Sequence, residues 1–152
     1  MTVAWRFSFL VDQDNRFLVV RPIGIMPGPE FADKVISAYG SIEEPWRFNR
    51  IIDMRRLVGY IGDEDRGRIA KRWSEITARV TYSARVAMLA ADRFEKLRLP
   101  EICRDFPNET ICFFTNYNEA VGWLLASDGD DYLSKLGDAP VSRRHELAIS
   151  IE

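Results

Sequence analysis

Phe48–Gly62, FNRIIDMRRLVGYIG, decides how this chain folds. Ile51 and Ile52 form an apolar run that stops at Asp53, and the chain then turns through Arg55, Arg56, Gly59 and Gly62. That pattern predicts a central strand, Arg50–Met54, feeding a loop at its C-terminal end, where open α/β sheets place their ligand or partner surface. Asp63, Glu64 and Asp65 follow, and negative charge of this kind favours a helix N-terminus. Ile69, Ala70, Trp73, Ile76, Thr77 and Val80 continue as the apolar stripe of that helix.

Upstream, Trp5, Phe7, Phe9 and Val11 alternate with Arg6, Ser8 and Leu10, the period of a half-buried strand. Asp12–Asn15 supply turn residues and Phe17–Arg21 returns, so a β-hairpin opens the fold. Gly28-Pro29 resembles a helix start, Phe31, Val35, Ile36 and Tyr39 share one face, and Gly40 is a C-terminal stop. Downstream, Arg85–Ala91 is almost wholly apolar, as a strand covered on both faces should be. Phe94–Leu97 and Pro100–Phe106 read as short helical turns, and Ile111–Phe114 as a fifth strand. Asn116 or Asn118 then caps a helix whose inner face is Ala120, Val121, Leu124 and Leu125, with Trp123 alongside. The expected fold is α/β: a single mixed, mainly parallel five-stranded sheet opened by a hairpin, with about four helices. Residues 1–126 form the domain, and 127–152 a surface extension packing through Tyr132, Leu133 and Leu136.

Composition bounds the function. The 152 residues suit one domain, and 47% apolar content supports a real core. A net charge of −2 gives no global pull towards nucleic acid or an anionic membrane, though it leaves room for a local basic patch. Two cysteines, Cys103 and Cys112, make no disulfide framework, and no stretch approaches the roughly 20 apolar residues of a membrane span. Without a signal-peptide pattern, the expectation is a cytoplasmic protein.

The strand-and-helix order, with RIIDMRRLVGYIGDED, the later RVAMLAA strand and the closing ICFFTNYNEAVGWLL, resembles the STAS domain. That family includes the SpoIIAA-like anti-sigma-factor antagonists and the cytoplasmic domains of sulfate transporters. The resemblance covers residues 4–126 and implies a non-enzymatic regulatory module that docks a protein partner. In the antagonists a phosphorylatable serine opens the second helix. Here that position falls at Gly62-Asp63-Glu64, with no hydroxyl nearer than Tyr60 or Ser74, so the usual phosphoserine is missing.

Six residues are candidates for partner or ligand contact: Asp53, Arg55, Tyr60, Asp63, Glu64 and Trp46. Asp53 and Arg55 either bind a polar ligand or fix the loop. Asp63 and Glu64 either stand in partly for the phosphate or simply favour the helix start. Trp46 and Tyr60 are large aromatics in loops beside the central strand, where aromatics often anchor contacts. The expected partner is a protein or a second copy of the chain; the alternative is a small apolar molecule in an aromatic-lined pocket, as the STAS domain's likeness in shape to lipid-transfer folds implies. Catalysis is not expected. His145 is the only histidine, there is no Gly-rich phosphate fingerprint, and Asp128–Asp131 lacks the spacing of a calcium loop. No cofactor or metal is expected. Cys112 reads as an inert core residue, whereas the Arg104 neighbour gives Cys103 a reason for a lowered pKa.

Overall fold

A computed structural model describes residues 4–136. His145 and the rest of 137–152 lie outside the described residues, as do 1–3. The strands are β1 (Trp5–Asp12), β2 (Phe17–Gly24), β3 (Asn49–Asp53), β4 (Ala84–Leu89) and β5 (Glu109–Phe114). They form one sheet in the order β1-β2-β3-β4-β5; β1 pairs antiparallel with β2, and every other pair is parallel. The helices are α1 (Gly28–Gly40), α2 (Asp63–Ile76), α3 (Leu99–Asp105), α4 (Tyr117–Leu125) and α5 (Gly129–Lys135), with 3₁₀ segments at Pro45–Arg47 and Arg93–Arg98. The mixed α/β sheet opened by a hairpin is as expected. The fifth helix, α5, is the addition.

Strand periodicity sorts the core into two layers. Phe17, Val19, Ile51, Leu89, Cys112 and Phe114 face α4 and α5. Their neighbours Leu18, Val20, Val86, Ile111 and Phe113 face α1, α2 and α3. Because successive side chains of a strand alternate, Asp53 belongs to the α4 side, while Arg50, Ile52 and Met54 belong to the other. The hairpin turn is held by Asp12, whose carboxylate accepts from the Asn15 backbone N–H at 3.1 Å and its amide at 2.9 Å. No described helix is long and apolar enough to cross a membrane.

Two local expectations, on Leu125 and Val80, are corrected. Leu125 is 55% exposed, whereas Trp123 is fully buried between Ala120 and Leu124. Positions 120, 123 and 124 share the helix face that a 3.6-residue period turns inward, and 125 does not. Val80 lies beyond α2, which ends at Ile76, where the Thr77 hydroxyl donates to the Trp73 carbonyl at 2.8 Å. The Asp128 carboxylate caps α5 by accepting from the Asp130 and Asp131 N–H groups, both at 3.1 Å, and Leu133 is buried in the core.

Candidate functional site

Asp53 ends the central strand and is 1% exposed. It is nevertheless tied to the rim by two arginines. Arg55 Nε donates to one carboxylate oxygen and Nη2 to the other, each at 2.9 Å, and the Arg55 backbone N–H adds a third bond at 3.1 Å. Arg21 Nε, on β2, donates to Asp53 at 2.9 Å. Tyr117, opening α4, lies against both guanidinium groups, 5.9 Å from Arg21 and 5.5 Å from Arg55. Burial alone would raise the Asp53 pKa, but the hydrogen bonds from Arg55 and Arg21 outweigh it and hold the carboxyl below its ordinary range. The pair fixes the start of the loop after β3, which is one of the two roles that its sequence allows.

The same loop is stitched to the end of β2. Gly24 N–H donates to the Arg56 carbonyl and Val58 N–H to the Gly24 carbonyl, both at 2.9 Å. Gly24 has φ +86°, and a Cβ there would lie 2.4 Å from the Ala4 carbonyl oxygen, so only glycine fits. The loop tip then projects: Val58 and Tyr60 are strongly exposed. Arg98, at the end of the second 3₁₀ segment, reaches across to this tip. Its Nη2 donates to the Ile61 carbonyl at 2.6 Å and its guanidinium lies 4.9 Å from the Tyr60 ring.

Asp63 and Glu64 open α2 and both are exposed. Asp63 pairs with Arg66 at 3.1 Å and lies 4.0 Å from Arg98, so it belongs to the same cluster as Tyr60. Arg66 is also held by Asp105 at 2.6 Å, which ties α2 to α3. Trp46 is brought to a different place. It precedes β3, half-buried against the α1–α2 layer, whereas Asp53, Arg55 and Tyr60 follow it. Five strand residues at ~3.3 Å each carry the chain about 16 Å between the two ends.

Beneath the loop lies a partly open cavity of ≈ 310 Å³, lined by residues of the sheet, α1, α2, α3 and the 3₁₀ segment. Ile52, Met88, Val86, Phe31, Ile69 and Leu99 give it an apolar wall, and Tyr60, Arg98 and Glu95 stand among its polar and aromatic lining. Arg50 also lines it. That arginine is buried, ion-paired with the buried Glu109 of β5, and stacked 4.1 Å from the Trp73 ring and 5.3 Å from Tyr39. Burial pushes the Glu109 carboxyl up, while Arg50 opposes that shift. Arg50 stays charged: burial acts against the charge, but Glu109 and the tyrosine neighbours outweigh it and raise its pKa.

Sequence reasoning missed Arg21, Arg50, Glu109 and Arg98. The signal was there for two of them: a charged residue opening an otherwise apolar run, in Arg50-Ile-Ile and Glu109-Thr-Ile-Cys-Phe-Phe, demands a buried partner. Cys103 is corrected. Burial pushes its thiol up to about 12, and the neighbouring Arg104 is exposed. Cys112 is buried as expected. Among the described residues no cluster of histidine, cysteine or acidic side chains is placed to hold a metal.

The chain is similar to the crystal structure of an uncharacterised DUF3478-family protein with a SpoIIAA-like fold from Shewanella loihica PV-4. The two are 19% identical with a TM-score of 0.47, over 82% of this chain and 98% of that one. No protein-family model matches the chain, and no curated protein matches it.

Proposed function

We propose that this protein is a non-enzymatic binding module whose cavity holds a small apolar or amphipathic molecule. The observation that carries the reading is the ≈ 310 Å³ space between the sheet and α1–α3. It sits at the lower end of the roughly 300–1,000 Å³ of ligand pockets and is apolar-walled as they are. At ~30 Å³ per water it equals about ten water volumes, so it suits a tail of roughly ten heavy atoms. The non-catalytic half draws support from Asp53, whose carboxylate is occupied by two arginines, and from Cys103, a buried thiol rather than a thiolate.

A fluorescent fatty-acid probe tests this. Saturable binding to the full chain, weakened at least tenfold by filling the cavity with Ala90→Leu, is the expected result. Binding that is non-saturable, or unchanged by Ala90→Leu, refutes it.

A second reading, a docking module for a protein partner, is favoured by the projecting Val58 and Tyr60 and the adjacent Asp63. A partner recovered by cross-linking, whose capture is lost on Tyr60→Ala and Asp63→Lys, would support it. A partner insensitive to both would count against it.

A further inference from the structure

Strand register lays out the floor of the cavity in rungs. Arg50 lies beside Val86 and Val86 beside Ile111; Ile52 lies beside Met88 and Met88 beside Phe113; and all of these line the space. The first rung is closed off, since Arg50, Val86 and Ile111 are no more than 3% exposed. At the other end Met54 and Ala90 lead to the loop after β3, where the lining residue Tyr60 is 69% exposed. Arg50 and Met54 are four residues apart on the chain, which at ~3.3 Å per residue separates them by about 13 Å. The space thus runs from one charged group at its closed end, past an apolar middle rung, to a mixed mouth.

Arg50 has hydrogen bonds that the protein leaves unmade. Its Nη2 donates to Glu109 Oε1, whereas Nε and Nη1 are buried with no acceptor among the described residues, and Glu109 Oε2 is likewise unpaired. That second oxygen can turn onto Nε or onto Nη1 but not onto both, so one donor is left over. The rings of Trp73 and Tyr39, 4.1 and 5.3 Å away, support the charge by cation–π attraction but accept neither proton. The other charged groups of the lining are engaged. Arg55 is held by Asp53, Arg98 by the Ile61 carbonyl, and Glu95 lies 3.7 Å from Arg98. Asp92 accepts from the Phe94 N–H, and Arg66, bonded to Asp105, has the Asp63 carboxylate 3.1 Å from its buried Nη1. A buried donor without an acceptor is rare in a folded protein. A guanidinium has no acceptor of its own, so only a group with a lone pair satisfies it.

We propose that the occupant of the cavity carries a carboxyl or other carbonyl group on an apolar body and lies head inward, its oxygen accepting from Arg50 at the closed end; this rests on the ligand-binding reading above. The rung of Ile52, Met88 and Phe113 then covers the body of the molecule, and its far end reaches the mouth beside Tyr60. A chain of roughly ten heavy atoms suits both the volume and the ~13 Å run from Arg50 to Met54. A head bearing only N–H donors would face the charge of Arg50 with nothing to accept from it.

Displacement of the fluorescent fatty-acid probe from the full chain tests this, with octanoate, methyl octanoate and octylammonium as competitors of similar length. The first two present a carbonyl oxygen with and without a charge, and the third presents donors alone. The better of the two oxygen-headed compounds should displace the probe at a concentration about tenfold or more below that of octylammonium. In Arg50→Met/Glu109→Leu, which removes the donors together with their buried partner, the preference should fall to about threefold or less. Circular dichroism checks that this variant is folded, and the wild-type comparison decides the matter even where it is not. Equal displacement by all three compounds in wild type overturns the proposal, because water alone then satisfies Arg50. A preference that survives in the folded double variant overturns it too. Both results leave the cavity as a binding site, whereas a probe that never binds wild type removes that reading and the proposal with it.

Discussion

Ala90→Leu probes the hollow interior directly. Ala90 follows β4, its N–H donates to the Phe114 carbonyl at 3.2 Å, and its side chain borders the cavity. The substitution adds three carbon atoms and leaves that backbone bond intact. At ~0.8 kcal/mol per buried carbon the gain is about 2.4 kcal/mol, from which ordering a leucine side chain subtracts ~0.5–1 kcal/mol. The net expectation is a stabilisation of about 1.5–2 kcal/mol. For a domain of this size each kcal/mol moves the midpoint by ~2–4 °C, so Tm should rise by about 3–8 °C. Urea unfolding of both proteins at matched pH measures it, with an unchanged denaturant slope as the check that only stability moved. A solid interior gives the opposite sign: overpacking costs ~1–3 kcal/mol, and a Tm that falls refutes the reasoning.

The remaining predictions concern the two buried ion clusters and the loop anchor. Arg50→Met should destabilise by about 3–5 kcal/mol because it strands Glu109, while Arg50→Met/Glu109→Leu should recover most of that loss; equal damage in single and double variants, read by urea unfolding, contradicts the pairing. Asp53→Asn should cost about 1.5–3 kcal/mol at neutral pH, towards the lower figure because Arg21 and Arg55 are partly solvated. The folded pKa of Asp53 lies below its unfolded value of ~3.9, so its contribution is complete above that value and is lost as pH falls through the folded pKa. The gap between wild type and Asp53→Asn should therefore be flat from pH 7 to about 5 and shrink below about 4; a gap that widens on acidification contradicts the assignment. Gly24→Ala should destabilise by more than 1 kcal/mol, since it strains a positive φ and collides with Ala4; thermal melts showing no change would contradict the clash.

The sheet and most helix positions are legible in the sequence because they follow from periods of two and 3.6 residues. RVAMLAA reads as doubly covered, and Leu89 and Ala87 are fully buried. What is not legible depends on distance through space. Arg50 and Glu109 lie 59 residues apart, and nothing in either neighbourhood names the other. Trp46 shows the converse error: it is near Asp53 in the chain, yet a strand between them puts them at opposite ends. Asp53 stands out in the sequence as an acid ending an apolar run, but Arg21 completes its clamp from β2 through a parallel pairing that the sequence does not spell out. The cavity itself was open in the sequence as an alternative. Its volume depends on how far α1, α2 and α3 stand from the sheet, which an apolar count does not reveal.

Native mass spectrometry of the gently purified full chain measures the central claim most directly. A folded charge-state envelope carrying a discrete small-molecule adduct, displaced by excess fatty-acid probe and missing from Ala90→Leu, is the predicted spectrum. A clean unliganded mass for both proteins, unchanged after incubation with the probe, would contradict it.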